Sequence, residues 1–437
     1  MVNVITFIKV TAFPFLSANM QKRIRDRKLR KIISYAKNNS KFYAKLYKDI
    51  DIDNLDSLSK LPCIDKKTVM DNFDDIVTDK NVTLNKANEF ISDLKNLDNS
   101  FLGKYKVMTT SGSTWKPVVF VADKHHIDAF FSASVHRMRT KYFPYCTITT
   151  DNGFYFGNVM LRGQKNNYFN YVDSLKPTAD IVKDLNDVNP KQMQTYPSTL
   201  GILAYEQSQG NLKLNLKRIC STAENLPSDM RKSFEDVFGC KIYSIYSSTE
   251  TGHIASDCDF GHMHFYEDNV IIEAVDKDGN PVKDGEISDK ILITNLNNKV
   301  MPLIRYEVTD RVIIHRDKCK CGSTLPWIEV FGRTAPPSLN FERDGKKIMV
   351  TFDNISMGVD YLNVTSVQAV RHGQYKVEIR LLMRNQEKFA ENKKVYKQKY
   401  EQIFAEQGLS DVEIEISDTP PKRDEKSGKL PYVIELD

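Results

Sequence analysis

The sequence predicts an α/β protein in which a large layered domain is followed by a small α+β domain. The chain has 437 residues, more than one typical hydrophobic core accommodates. Between residues 105 and 320, short strand-like runs alternate with helical ones, a pattern typical of α/β layers. Beyond residue 348 the order becomes strand, strand, helix and strand, which is typical of a small α+β domain. We therefore predict domains at 1–332 and 333–437.

Apolar spacing predicts the individual elements. A strongly basic helix is expected over 20–48, because Ile24, Leu29 and Ile33 recur at helical spacing. The other predicted helices are 123–140, 178–186, 198–209, 227–238 and 386–407. The predicted strands are Gly153–Gly157, Arg218–Ser221, Lys241–Tyr246, Asn269–Val275, Lys290–Thr294, Val364–Val370, Tyr375–Leu382 and Val412–Ile416. In the last helix, the residues expected to face inward are Phe389, Val395, Tyr400, Ile403 and Phe404.

Composition narrows the class of protein. A net charge of +5 over this length is too small to indicate nucleic-acid binding. The apolar segment Met1–Met20 lacks a charged start and a small-residue cleavage site, so we interpret it as a segment docked on the body. No stretch approaches the length of a membrane span, and we expect no stable membrane insertion. The basic helix could contact RNA or a membrane, but we interpret its charges as a solvated face. Seven cysteines, mostly scattered, fit a reducing cytoplasm.

The segment Thr109–Pro117 reads Thr-Thr-Ser-Gly-Ser-Thr-Trp-Lys-Pro and is the most informative stretch of the chain. It lies between apolar runs that end at Met108 and resume at Val118. Small side chains, hydroxyls and one lysine between two strands can wrap an anion, and a nucleotide triphosphate fits best. The alternative is a polar hairpin turn. The spacing is not that of a Walker P-loop. The candidate phosphate ligands are Thr110, Ser111, Ser113, Thr114 and Lys116.

A second segment, Tyr246–Glu250, directly follows a predicted strand. Ligands bind at the carboxyl ends of strands in open α/β sheets, although a plain turn is the alternative. Tyr246 can stack on a base, Ser247 and Ser248 can bind phosphate, and Glu250 can hold Mg²⁺. Further candidates are Asp310 for ribose hydroxyls, Arg333 at the domain junction, and Lys429 in the basic loop Lys426–Lys429.

Cysteines and one histidine form a candidate metal site. Cys319 and Cys321 are a tight thiol pair, and Cys258 precedes His264 by six positions. Three thiols and one imidazole make a closed, structural Zn²⁺ site. We prefer His264 because alternate residues of a strand face the same side. His262, His253 and His315 remain open, and the alternative is reduced cysteines with surface histidines.

In this order and with these spacings, the motifs resemble those of adenylate-forming enzymes. The similarity is greatest to the phenylacetate–coenzyme A ligase branch, which includes coenzyme F390 synthetase and capsule-associated adenylases. The family's Thr-Ser-Gly-Ser-Thr-Gly-Lys-Pro loop is matched except that Trp115 replaces the second glycine. Its Tyr-Gly-x-Thr-Glu motif resembles Tyr246–Glu250, and Arg305-Tyr306 with Asp310 resembles its ribose motif. Ser221–Glu224 resembles Gly-Gly-Glu with both glycines replaced, which adds Ala223 and Glu224 to the nucleotide site. The resemblance covers residues 20–437.

The resemblance implies a layered N-terminal adenylation domain of the acyl-adenylate-forming type and a mobile C-terminal domain. It implies ATP-dependent activation of a carboxylic acid, with an aromatic acid as one option, to acyl-AMP with release of pyrophosphate. A thiol, usually that of coenzyme A, then displaces AMP. Lys429 is implied as the mobile lysine that bridges the carboxylate and the α-phosphate, with Lys426 and Lys422 as alternatives, and Thr249 and Glu250 also belong to the implied catalytic set. The implied cofactors are ATP and Mg²⁺, with coenzyme A as co-substrate. Some relatives in this branch carry zinc in a similar Cys/His pattern.

Departures from the family pattern keep other functions open. Trp115 stands in the phosphate loop, and Thr334–Pro337 follows Gly332-Arg333 where the family often has acidic residues. The two prolines stiffen this hinge. One alternative is an adenylase that loads a carrier-protein thiol or an amine acceptor in secondary metabolism or envelope biosynthesis. Another is a catalytically impaired nucleotide-binding homologue. The acid and the acceptor stay unidentified, and a homodimer is left open.

Overall fold

The computed structural model of the chain describes residues 3–52, 54–55, 57–110, 118–137, 140–150, 152–161, 168–333, 337–425 and 428–436. The chain divides into two compact units. The first comprises Met1–Lys141, Asn152–Lys165 and Tyr243–Thr334, and the second comprises Tyr142–Asp151, Asn166–Ile242 and Ala335–Asp437. The predicted mixed α/β fold is confirmed. The second unit therefore combines segments from the middle of the chain with the C-terminal residues, whereas the predicted domains are continuous in sequence. The predicted domain boundary after residue 332 stays a prediction.

The helices agree with most of the predicted ones. They are α1 (Val4–Ala12), α2 (Ala18–Asn39), α3 (Lys41–Leu46), α4 (Lys66–Asp71), α5 (Phe73–Ile76), α6 (Leu84–Ile91), α7 (Lys124–Arg137), α8 (Phe156–Leu161), α9 (Thr178–Val188), α10 (Pro197–Ser208), α11 (Ser228–Phe238), α12 (Phe352–Met357) and α13 (Phe389–Glu406). The basic helix predicted over 20–48 is divided at Ser40, because the Ser40 hydroxyl accepts the backbone N–H of Tyr43 and begins a new helix. No helix of the described ranges is both long enough and apolar enough to cross a membrane.

The strands are β1 (Lys106–Thr109), β2 (Val119–Ala122), β3 (Tyr145–Thr149), β4 (Phe169–Asp173), β5 (Gln192–Thr195), β6 (Arg218–Thr222), β7 (Ile242–Ser248), β8 (Gly252–Asp257), β9 (Met263–Phe265), β10 (Val270–Val275), β11 (Lys290–Asn295), β12 (Tyr306–Val308), β13 (Asp310–His315), β14 (Trp327–Arg333), β15 (Ser338–Arg343), β16 (Lys346–Thr351), β17 (Val364–His372), β18 (Lys376–Met383), β19 (Glu413–Ser417) and β20 (Val433–Leu436). After β10 the chain turns tightly, and the Asp276 N–H donates to the Asn280 carbonyl at 2.9 Å.

The first unit is built on antiparallel pairing. β13, β14, β9, β8 and β7 follow one another in that order, and β10, β11 and β12 form a separate three-stranded sheet. β1 and β2 form a two-stranded ladder that flanks the predicted phosphate loop. The core of this unit contains fully buried residues such as Ile33, Phe265 and Ile293.

The second unit combines parallel and mixed sheets. β4, β3, β5 and β6 are parallel neighbours, with α9, α10 and α11 as the helices between or after them. β19, β18, β17 and β20 form the C-terminal sheet. Gly201 permits close packing of α10 on β17, because an added Cβ would lie 2.3 Å from the Thr365 carbonyl oxygen. Both sheets therefore contribute to one core, which includes Ile219, Phe234 and Leu381.

Two local predictions are wrong. The aromatic run Gly153–Gly157 is not a strand, because Gly153 adopts a φ of +131° and α8 begins at Phe156. The Asn158 amide donates to the Gly153 carbonyl at 2.7 Å and ties the turn to the helix. In α13, Val395 is exposed, because the buried face comprises Tyr396, Tyr400 and Phe404 at intervals of four.

Candidate active site

In the first unit, three predicted residues meet where β7, β13 and β14 end or begin. The Tyr246 hydroxyl donates to Asp310 Oδ2 at 2.5 Å. Arg333 Nε lies 3.8 Å from Asp310 Oδ1, because Asp310 and Arg333 are paired residues of the antiparallel β13–β14 ladder. A phenol, a carboxylate and a guanidinium are thus held together on rigid strands.

Glu250 lies in the tight turn after β7. Removal from water raises the pKa of its carboxyl, the charge of Asp310 acts in the same direction, and the charge of Arg333 opposes it. The Tyr306 hydroxyl shares a hydrogen bond with this carboxyl. A cation placed beside Glu250 would therefore relieve an unfavourable charge.

Lys66 is a residue of this site that the sequence analysis missed. It begins α4, two residues after Ile64, whose N–H donates to the Arg305 carbonyl at 3.0 Å. Burial lowers the pKa of Lys66, while the charge of Glu250 raises it. Lys66 lies far from Glu250 in sequence and in no recognisable motif, so only the chain path along β12 brings the two charges together.

Asn295, at the end of β11, links a buried histidine to this turn. Its amide nitrogen lies 3.1 Å from the Glu250 carbonyl oxygen, to which it donates, and 3.3 Å from His126 Nδ1. Gly252 closes the turn with a φ of +73°, and an added Cβ would lie 3.3 Å from the Phe130 ring. No sequence signal identified Asn295, because an asparagine at a strand end is equally typical of a turn.

The flanks of the predicted phosphate loop are well defined. Thr110 and Val118 are paired through the Thr110 N–H and the Val118 carbonyl at 3.1 Å, and the Thr110 hydroxyl accepts the Val118 N–H at 3.1 Å. The loop therefore emerges between two bonded strands, as predicted. The other loop candidates, Ser111, Ser113, Thr114 and Lys116, lie outside the described residues, as does Trp115.

In the second unit, Ala223 and Glu224 follow the end of β6. Ala223 has a φ of +67°, a left-handed conformation that favours the glycine found there in the resembled family. The Glu224 carboxylate accepts the Ser198 N–H at 2.9 Å and the Ser198 hydroxyl at 3.0 Å. Removal from water raises the pKa of Glu224, and the charge of Lys429 opposes that shift. Ser198, at the start of α10, is a second residue that the sequence analysis missed.

Lys429 lies in the same unit and reaches this segment. Its Nζ donates to the Ala223 carbonyl at 3.4 Å and lies 5.4 Å from the centroid of the Tyr196 ring. The next residue, Leu430, donates its N–H to the Ser198 hydroxyl at 3.3 Å. Of the alternatives, Lys422 is exposed and Lys426 lies outside the described residues. The structure therefore brings Lys429, Ala223 and Glu224 together.

The four predicted metal ligands also lie together, in the first unit. The ligand atoms of Cys258, His264, Cys319 and Cys321 are all within 4.8 Å of one another. Cys258 Sγ is 3.7 Å from Cys319 Sγ, and Cys321 Sγ is 3.3 Å from His264 Nε2. A tetrahedron with zinc–sulfur bonds has an edge of about 3.8 Å and a slightly shorter sulfur–nitrogen edge, so the donor set fits Zn²⁺.

Neighbouring groups orient this cluster. His264 Nδ1 donates to the Leu325 carbonyl at 2.8 Å, which directs Nε2 toward the thiols. The N–H groups of Cys321 and Ser323 lie 3.4 Å from Cys319 Sγ and Cys321 Sγ. The alternative histidines are engaged elsewhere, since His262 and His315 both stack on Trp327 and His253 contacts the Tyr266 ring.

Comparison with known proteins identifies the family. A family profile described as AMP-binding enzyme matches residues 15–294. The chain belongs to this family. No curated protein sequence matches the chain.

The fold of this AMP-binding enzyme is similar to that of 2-hydroxyisobutyryl-CoA ligase. The structure of that ligase in the postadenylation state with R3-HIB-AMP has a TM-score of 0.71 and 17% identity, covering 97% of this chain and 91% of the ligase. Its structure with 2-HIB-AMP and CoA in the thioesterification state has a TM-score of 0.61 at 17% identity, covering 97% and 91%. At this identity the comparison shows a shared fold.

The acid stability of this AMP-binding enzyme is expected to depend on His126. Burial lowers the pKa of His126 to about 4 from its ordinary 6.5, and the Asp123 charge and the Asn295 hydrogen bond oppose the shift. The folded state therefore binds this proton less readily than the unfolded state. Stability is fully present above pH 6.5 and is lost as the pH falls toward about 4, by about 3 kcal/mol.

Urea unfolding of wild type and His126→Gln across this range measures the effect. The wild type should lose about 3 kcal/mol more than the variant as the pH falls. His125→Gln, at the exposed neighbouring position, is the matched control and should follow the wild type. Parallel profiles for wild type and His126→Gln would show that His126 is not the responsible group.

Proposed function

We propose that this AMP-binding enzyme activates a carboxylic acid with ATP and transfers the acyl group to the thiol of coenzyme A. The observation that carries the proposal is the position of Lys429, whose ammonium group lies at the Ala223 carbonyl beside Glu224. The reaction joins two anions, a carboxylate and a phosphate, and a cation between them offsets their repulsion. Lys429 is the residue proposed to supply that cation.

ATP would be held by groups from several strand ends. The hydroxyls and backbone of Thr110, Ser111, Ser113 and Thr114 would surround the triphosphate, with Lys116 as a point charge. Tyr246, Ser247, Ser248 and Ala223 would contact the base and the α-phosphate. Asp310 would accept from the ribose hydroxyls, with the Arg333 guanidinium beside it.

Mg²⁺ fits the donor set around Glu250. The Glu250 carboxylate and the Thr249 hydroxyl are oxygen ligands of the kind that Mg²⁺ prefers, and the raised pKa of Glu250 reflects the removal of its carboxyl from water. When bound, Mg²⁺ would screen the charge of the phosphates. The charge of Lys66, which interacts with that of Glu250, would oppose protonation of this carboxylate.

The proposed chemistry has two displacements. A carboxylate oxygen attacks the α-phosphorus, the bond to the β-phosphate oxygen breaks, and pyrophosphate leaves. The sulfur of the thiol then attacks the acyl carbon, the carbon–oxygen bond to AMP breaks, and the thiol proton passes to solvent. Lys429 would orient the carboxylate in the first step. Its movement with a mobile C-terminal domain, beginning after residue 332, would admit the thiol in the second.

The cluster of Cys258, His264, Cys319 and Cys321 is proposed to hold a structural Zn²⁺. All four ligands come from the protein, so no coordination position remains for a substrate. The cluster connects the β8–β9 turn to the segment before β14. Its proposed role is to fix these strands, and with them Arg333 at the end of β14.

The proposed substrates are coenzyme A and an aromatic carboxylic acid. The similar structures are described as a CoA ligase with an acyl-AMP bound, in one case together with CoA, which supports the proposed acyl transfer to coenzyme A. The order of motifs favours the phenylacetate–coenzyme A ligase branch, and an aromatic acid is proposed. A cytoplasmic location agrees with the free cysteines and a coenzyme A substrate.

Exchange of labelled pyrophosphate into ATP tests the proposal. A panel of aromatic, aliphatic and hydroxylated carboxylic acids is supplied with ATP and Mg²⁺, and label in ATP is expected with at least one aromatic acid. Subsequent consumption of coenzyme A would identify the acceptor. Exchange without use of coenzyme A would favour the carrier-protein or amine alternative. Nucleotide binding without exchange for any acid would favour a catalytically impaired homologue.

A further inference from the structure

The N-terminal helix α1 exposes apolar side chains on the face opposite its packing surface. Val4, Ile5 and Ile8 are 69%, 63% and 60% exposed, and Phe15, just beyond the helix, is 80% exposed. The three helix residues fall within an arc of about 100°. A run of large apolar groups in water is unfavourable, so this surface is typical of a binding site.

The helix itself is fixed on the first unit by its other face. Val10 is buried, and the Val10 carbonyl accepts from Arg137 Nη2 at 3.0 Å. Arg137 also forms a buried ion pair with Asp268 at 2.7 Å. The exposed arc of α1 is therefore presented by an anchored helix rather than by a loose terminus.

Helix α2 carries a stripe of exposed cations. Arg23, Arg27, Arg30 and Lys31 are exposed and follow exposed Met20 within one arc of about 100°. Asp26 is the single acidic residue between Met1 and Lys48, and it pairs with Arg25 at 3.1 Å. The stripe therefore has no acidic residue of its own.

The cations on the inner side of α2 are already paired. Arg25 Nη1 lies 2.8 Å from Glu267 Oε1, and Lys28 Nζ donates to the Asp268 carbonyl at 2.7 Å. Within the described ranges, the four outer cations form no salt bridge. The charges of these four side chains are thus available for binding an anionic partner.

We propose that these two surfaces bind the surface of an anionic lipid bilayer. The apolar arc of α1 and the cationic stripe of α2 lie on successive helices, whose junction is fixed by the Gln21 amide donating to the Phe13 carbonyl at 2.9 Å. Together they offer the two kinds of group that the interface between acyl chains and anionic headgroups binds. Nucleic acid would use the cations but not the aliphatic arc of α1. A second copy would place the cationic stripes near one another, which is repulsive. The attachment is peripheral, and it does not depend on the proposed catalytic function.

Sedimentation with vesicles tests this proposal on the full chain. Binding is expected to vesicles of phosphatidylcholine with phosphatidylglycerol and not to phosphatidylcholine alone, and high salt should weaken it. Replacing the outer cations by glutamine should lower the binding at least about tenfold, since each contributes near an anionic surface. The variant is Arg23→Gln, Arg27→Gln, Arg30→Gln and Lys31→Gln.

Matched controls separate surface position from overall charge. The control for charge removes four exposed lysines of α13 and should bind like the wild type; it is Lys393→Gln, Lys394→Gln, Lys397→Gln and Lys399→Gln. Ile5→Ser with Ile8→Ser should also lose binding to anionic vesicles. Its control, Val395→Ser with Met357→Ser, alters exposed apolar residues elsewhere and should retain it.

Several results would overturn the proposal. An equal loss of vesicle binding in the α2 and α13 variants would show that net charge alone is responsible. Wild-type binding by the α2 variant would show that its cations are not used. Binding of the wild type to neither vesicle would exclude a lipid surface. A dimer that dissociates in Ile5→Ser with Ile8→Ser would assign the arc to a second copy. Stronger binding of single-stranded RNA than of vesicles, lost in the α2 variant, would assign the stripe to nucleic acid.

Discussion

Lys429→Ala is expected to lower acid-dependent pyrophosphate exchange by about 10²–10³-fold. Lys429 Nζ lies at the Ala223 carbonyl, near Glu224, where the proposed function places the carboxylate and the α-phosphate. Alanine removes the cation that offsets the charge gathered during attack. Because the lysine is half-buried at the surface of its unit, its removal should leave the fold and ATP binding intact.

The control for this variant is Lys422→Ala. Lys422 is exposed on the same C-terminal segment, so its loss removes an equal charge without removing the proposed catalytic cation. Exchange in Lys422→Ala should equal that of the wild type, and thermal unfolding should be alike for all three proteins. Full exchange in Lys429→Ala would transfer the role to another lysine, with Lys426 as the next candidate.

Cys258→Ser is expected to lose bound zinc and about 3–5 kcal/mol of stability. The site requires four ligands, and Cys258 Sγ lies 3.7 Å from Cys319 Sγ in a buried setting. Without the metal, no bond joins the remaining donors, and the β8–β9 turn loses its connection to the segment before β14. Metal analysis of purified wild type should give about one zinc per chain, and chelation should lower its melting temperature.

Cys63→Ser provides the comparison, because Cys63 is an exposed free cysteine. It should keep both its zinc and its melting temperature. A wild-type protein that contains no zinc after purification in zinc-supplied medium would contradict the structural metal site. Unchanged stability in zinc-free Cys258→Ser would contradict its structural role.

Local pattern was sufficient for most of the fold. The helical spacing that predicted 178–186 and 227–238 is confirmed by α9 and α11, whose apolar faces are buried. It failed at Gly153–Gly157, because a short aromatic run serves equally in a strand or at the start of a helix. Val395 was misassigned for a related reason, since a shift of one position on a helix turns a side chain by about 100°.

Residues with distinctive chemistry, such as cysteine and histidine, were easier to predict than the common residues that contact the predicted site residues. Cys258, His264, Cys319 and Cys321 were grouped from residue type and alternation, and the structure brings them together, although zinc binding itself stays a prediction. Lys66, Asn295 and Ser198 were missed, because each reaches its predicted partner, Glu250 or Glu224, only through tertiary packing. A common residue type in an ordinary turn or helix start carries no chemical signal in a single sequence.

Pyrophosphate exchange in the absence of any thiol tests the central claim most directly. If the enzyme forms acyl-AMP before transfer, labelled pyrophosphate will enter ATP when a suitable carboxylic acid is present, and coenzyme A will not be needed. Omission of the acid should abolish the exchange, and Lys429→Ala should nearly abolish it. Exchange that proceeds without an acid, or acyl transfer to coenzyme A without any acid-dependent exchange, would contradict the adenylate mechanism.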